Sequence, residues 1–129
     1  MARASGTELS LADVVGGPYG PVAFVIGLRV PGCVPVLVPG ERAGDGTLWL
    51  TAGGADPSVA AAGFARGRRP NVLQAGPRSL WTEVEDAWRW WDRVGRPEVF
   101  DFGLTVTVSD TGVRQVPWYG GAGHDIPAV

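Results

Sequence analysis

Few residues in this sequence can do chemistry, and their types narrow that chemistry early. Glu83, Glu85 and Asp86 fall within one helical turn, and a carboxylate withdrawn from water can act as a general acid or base. The same three charges lie in the first half of an apolar-periodic segment, where they also serve simply to match a helix dipole. His124 and Asp125 are adjacent in a Gly-rich tail, a poor support for a general base. All eleven basic residues are Arg, so Schiff-base, lysine-base and phosphate-loop lysine chemistry are excluded. One Cys and one His exclude an intrachain disulfide and a Cys/His zinc site, and Cys33, in an apolar run, reads as a small core residue. The segment from Gly16 to Gly20, which contains Tyr19, follows no strand and lacks dinucleotide-binding glycine spacing. No cofactor and no metal are expected.

The elements that must position these residues come from a chain of 129 residues, 45% apolar and 19% charged, which suits one domain with its own core. A net charge of -2 gives no basic field for nucleic acid, and Arg66, Arg68 and Arg69 form only a local cluster. The first residues lack the long apolar core of a secretory signal, and no stretch approaches 18 apolar residues, so the expectation is a cytoplasmic protein without a membrane partner.

Residues 1–21 read as a Gly/Pro-rich segment with one helical turn capped by Ser10, 22–118 as a single α+β domain, and 119–129 as a flexible tail. Val22–Val30, β-branched and bracketed by Pro21 and Pro31, reads as a buried strand. Val34–Val38 reads as a second strand, placed by Pro35 at an edge or a bulge, and Thr47–Ala52 as a third, the three forming an antiparallel meander. The segment from Ser58 to Phe64 fits a strand or a helical turn, and Asn71–Ala75 a short strand. Val99–Val108 and Val113–Trp118 flank Ser109-Asp110-Thr111-Gly112 as a hairpin.

The clearest element runs from Arg78 to Val94. At about 100° per residue, Leu80, Trp81, Val84, Ala87, Trp88, Trp91 and Val94 fall within about 140°, with Ser79 as N-cap and Gly95 and Pro97 as the stop. Glu85 and Arg89 are spaced for an i,i+4 pair. Trp88 sits at the centre of this apolar arc, whereas Trp90 lies outside it beside Glu83 and Asp86. A Trp in that setting reads either as one covered by a loop or as part of a pocket or interface.

The stretch QAGPRSLWTEVEDAWRWWDRVGRPEVFDFGLTVT, from Gln74 onward, resembles the C-terminal region of actinobacterial methyltransferases related to protein-L-isoaspartate O-methyltransferase, some of which modify ribosomally made peptides. The matches are Gly76, Pro77, Arg78, Leu80, Trp81, Glu83, Val84, Glu85, Ala87, Trp90, Trp91, Gly95, Arg96 and Pro97, then Phe102 to Thr107. GLRVPGCVPVLVPG and GTLWL upstream are similar as well. Asp101 stands where the pattern often has Arg, and the S-adenosylmethionine-binding domain is not in this sequence. The resemblance therefore implies the appended domain and a role in holding substrate, without methyl transfer by this chain.

The expected architecture is α+β, an antiparallel sheet packed on one long Trp-rich helix. The leading functional reading is an accessory or substrate-recognition domain for a peptide or a small-molecule biosynthetic intermediate, working beside a separate methyltransferase, with Trp90, Glu83, Arg78 and Arg96 contacting the ligand. The alternative is a small cofactor-independent cyclase or isomerase with an apolar pocket between helix and sheet, using Glu83, Asp101 and Tyr19. A homodimeric structural protein is a third reading.

Overall fold

A computed structural model describes residues 2–15, 21–121 and 123–126. The described residues form a mixed α and β structure with two antiparallel sheets, of five and three strands, and three helices. Strands β1 (Arg3–Gly6), β2 (Cys33–Pro39), β3 (Gly46–Ala52), β4 (Ser58–Phe64) and β5 (Asn71–Ala75) make the larger sheet in the order β1-β5-β4-β3-β2. Pro35 accordingly sits on an edge strand, the place in a sheet where proline is tolerated. Ser58–Phe64, open to two readings in the sequence, is a strand because alternate side chains Ser58, Ala60, Ala62 and Phe64 are buried.

Helices α1 (Leu11–Val15), α2 (Pro21–Arg29) and α3 (Leu80–Arg93) supply the rest of the core. The Ser10 turn forms as expected: Ser10 Oγ accepts from Asp13 N at 3.2 Å and Asp13 Oδ2 accepts from Ser10 N at 2.7 Å, a reciprocal cap. The expected strand over Val22–Val30 is a helix instead. Pro21 stands at its first position, where a fixed φ and a missing N–H suit a helix start. Val22, Val25, Ile26 and Arg29 are its buried residues, at helical spacing, so one face closes on α3 while β-branched composition loses to tertiary packing. The meander therefore has two of its three expected strands, β2 and β3.

Helix α3 lies against β3, β4 and β5. Trp81 is buried with its ring 6.0 Å from Phe64, and its backbone N–H donates to Gln74 Oε1 at 2.8 Å. Large side chains such as these each contribute about 1.5–3 kcal/mol when buried. The helix ends in a Schellman turn, with Gly95 N donating to Asp92 O at 3.2 Å and Arg96 N to Trp91 O at 2.9 Å. Gly95 carries φ 99° and Arg96 φ 56°.

After a 3-10 turn at Val99–Asp101, β6 (Phe102–Ser109) and β7 (Gly112–Tyr119) form the hairpin, and β8 (His124–Asp125) pairs with the end of β7. Tyr119, assigned in the sequence to a loose tail, is thus in a strand with His124 opposite, because the Tyr119 ring is anchored to the core. No helix among the described residues is long and apolar enough to cross a membrane.

Candidate functional site

The expected site residues do not converge on one place. Glu83 is committed to Arg78: Nε donates to Oε2 at 3.0 Å and an NH2 group to Oε1 at 2.7 Å, a bidentate pair that holds the guanidinium pKa above its ordinary value. Arg78 also donates to Pro31 O at 2.8 Å, and its backbone N–H donates to Ser58 Oγ at 2.9 Å. Gly76 makes this approach possible, since at φ 100° an added Cβ would lie 2.6 Å from both Pro57 O and Ser58 Cα. The pair therefore clasps the α3 N-terminus to the β2 and β4 ends. Cys33 lies beside it, and burial pushes its thiol pKa up, with Arg78 opposing and Glu83 adding to the shift.

Asp101 closes the 3-10 turn, its Oδ2 accepting from Glu98 N at 2.8 Å. Tyr19 lies outside the described residues. Ser79 heads α3 through its carbonyl, which accepts from Glu83 N, while its hydroxyl accepts from Arg3 at 3.2 Å instead of capping. The expected Glu85–Arg89 pair is replaced by two others, Arg89 with Asp86 at 3.1 Å and Thr7 Oγ1 with Glu85 Oε2 at 2.9 Å.

Trp90, placed by the helical wheel outside the apolar arc, is 4% exposed. The Arg29 guanidinium lies 4.9 Å from its ring centre, and Tyr119 meets it edge-on. The base of the hairpin and α2 cover this side of α3, so the buried face is wider than the arc and Trp88 falls at its margin. Trp90 is thus a core residue in this structure.

What the margin exposes is a cleft on either side of Trp88. One, of about 200 Å³, is lined by Ala12, Asp13, Pro21, Val22, Trp88, Trp91 and Arg96. The other, of about 320 Å³, is lined by Glu8, Leu9, Asp13, Glu85, Trp88, Arg89 and Arg96. Trp88 and Trp91 have ring centres 6.3 Å apart at 58°, and the Arg96 guanidinium stands 5.6 Å from the first ring and 5.5 Å from the second. Asp92 Oδ1 accepts from Arg96 Nε at 2.7 Å, and Trp91 Nε1 donates to Pro97 O at 2.9 Å, so both side chains are held from behind. Arg96 is the sole described non-Gly residue with positive φ, a conformation costing about 1–3 kcal/mol. Of the expected binding residues, Arg96 alone reaches this groove. Trp88, which the helical wheel centres in the buried arc, is only partly buried.

Two other hollows differ in chemistry. One of about 280 Å³ lies between α1, α2, β2 and β3, and the described residues that line it, among them Val14, Ile26, Leu37 and Leu50, are all apolar. A cleft of about 400 Å³ at the end of β3 and β4 carries Glu41, Asp45, Arg68 and Arg69. Asp45 Oδ1 there accepts from Arg66 N at 2.8 Å, so the arginine cluster folds onto a loop carboxylate. Among the described residues no group of three His, Cys, Asp or Glu could hold a metal ion. No family model, curated protein or solved structure matches this chain.

Proposed function

We propose that the chain is a binding module, an α+β domain built on the Trp-rich helix α3 against the five-stranded sheet, which holds a peptide or a small-molecule biosynthetic intermediate for a separate enzyme. The observation that carries this reading is the Trp88/Trp91/Arg96 groove. It is open, aromatic, edged by charges of both signs, and preorganised by the Asp92 and Pro97 contacts. Fixed aromatic rings give a ligand apolar contact at low entropic cost, and the rim charges select polarity and direction. The resemblance to the appended domain of isoaspartate-type methyltransferases supports the same role, since Trp91 and Arg96 are among its matching positions. A methyltransferase acting in trans in the cytoplasm is the corresponding enzyme.

The cyclase or isomerase reading draws support from the apolar hollow between α1, α2 and the sheet. Acid–base catalysis there would need a titratable group facing it, and the described lining has none, whereas Glu83 and Asp101 are tied up elsewhere. The binding reading is tested by selecting peptides from a displayed random library against the purified chain. Enriched sequences that compete with one another for one site support it. A library that yields no enrichment contradicts it.

A further inference from the structure

The outer face of the five-stranded sheet is apolar from edge to edge. The paired positions Val36, Trp49, Ala61, Leu73 and Ala4 form one row across all five strands. The flanking rows hold Val34, Thr51, Val59 and Ala75 on one side and Val38, Thr47, Gly63, Asn71 and Gly6 on the other. No charged side chain stands on these rows. Trp49 on β3 is 43% exposed and Leu73 on β5 is exposed as well, although both strands are paired on each side, and Val34, Val36 and Val38 continue the exposed apolar surface onto the edge strand β2. The opposite face, which holds the buried Leu48, Leu50, Ala60, Ala62 and Val72, packs on α3 and shares one core with residues of α1 and α2.

We infer that this face is a dimer interface occupied by a second copy of the chain, packed sheet on sheet about a two-fold axis. Three features favour a copy over another partner. A face with no charge and no unpaired polar side chain beyond Asn71 and two threonines offers nothing to orient a charged partner, while it is fully compatible with itself. Its relief is self-complementary: β4 presents only Val59, Ala61 and Gly63, a shallow trough, and Trp49 rises from β3 directly beside it. A two-fold axis lying between the sheets and running along the β3/β4 boundary places each Trp49 over the Ala61 of its mate, a knob into the trough on both sides. The size is also sufficient, since strands about 4.8 Å apart and four to seven residues long give roughly 450–500 Å² per copy, or about 1,000 Å² over two, where specific interfaces begin.

The test is sedimentation equilibrium of the full chain from about 1 to 100 µM, beside Trp49→Arg and Thr51→Arg. The expected result is a wild-type dimer. Both variants should retain wild-type far-UV circular dichroism, because each changes an outward position, and their dimer dissociation constants should rise at least about 30-fold, as for loss of an interface hot spot. Thr51→Arg keeps the inference testable should Trp49→Arg fail to fold. A wild-type chain that is monomeric at 100 µM overturns it. Dimers that survive both substitutions overturn it too, and direct attention to the exposed Val106, Val108 and Val113 of the hairpin. A monomer that instead sediments with lipid vesicles overturns it in favour of a membrane surface.

Discussion

Trp90 meets Tyr119 edge to face, with ring centres 5.2 Å apart and planes at 86°. This contact joins α3 to the three-stranded sheet, for Tyr119 in turn lies 6.5 Å from Phe102 and 5.2 Å from the His124 ring. Arg29 closes the other side of the indole and donates to the Asp86 carbonyl at 3.2 Å. Trp90 is therefore where both helices and both ends of the hairpin are pinned together.

Trp90→Ala should accordingly cost on the order of 3–5 kcal/mol, the range for deleting a buried Trp, whereas Trp88→Ala should cost no more than about 2 kcal/mol because its ring already faces solvent on one edge. Urea denaturation of the two variants gives the comparison. A larger loss for Trp88→Ala would mean that the buried face is centred where the helical wheel puts it.

The difference between wheel and structure has a physical cause. A wheel ranks positions by the residues of one helix, and Trp90 shares its arc with Glu83 and Asp86, so the arc looks polar. The Glu83 charge is answered from outside α3 by Arg78, the Asp86 carboxylate pairs with Arg89 on the helix surface, and Arg29 of α2 stands over the Trp90 ring. The place of Arg29 over Trp90 is not readable from local spacing. The same holds for α2, whose β-branched run suits strand and helix alike until α3 offers it a face. Local chemistry did narrow β2 to an edge or a bulge through Pro35, and did reveal the Ser10 cap and the hairpin around Ser109–Gly112. Of the groove, only Arg96 is among the binding residues the sequence suggests, because the helical wheel centres Trp88 in the apolar arc.

The tail makes a measurable contribution. Removing residues 122–129 strips β8 from β7 and uncovers Tyr119, which should lower stability by about 1–2 kcal/mol, seen as a melting temperature several degrees lower. An unchanged melting temperature would show that the Tyr119–His124 contact carries no weight.

Cys33 should react slowly with thiol reagents. Burial raises its pKa, so at pH 8 its thiolate fraction is below that of free cysteine, and alkylation should be slower than that of a free thiol, accelerating as pH rises. The sign for stability follows from linkage. With the folded pKa above the unfolded one, the contribution is complete below the unfolded value and is lost as pH rises through the folded value. A rate at pH 8 equal to that of a free thiol would contradict a desolvated Cys33.

Arg96 allows function to be separated from fold. Arg96→Gly relieves the left-handed backbone at φ 56° while removing an exposed ion pair worth at most about 1 kcal/mol, so stability should stay within about 1 kcal/mol of wild type. A collapse of the folded state would show instead that the guanidinium is a structural clamp on α3.

The most direct test of the groove is calorimetric titration of one library-selected peptide into wild type, Trp88→Ala, Arg96→Gly and Trp90→Phe. If Trp88, Trp91 and Arg96 form the binding surface, the first two variants should bind at least about 10-fold more weakly, at 1.4 kcal/mol per decade, while Trp90→Phe binds as wild type does. Equal affinity across the wild type, Trp88→Ala and Arg96→Gly, or a loss confined to Trp90→Phe, would contradict it.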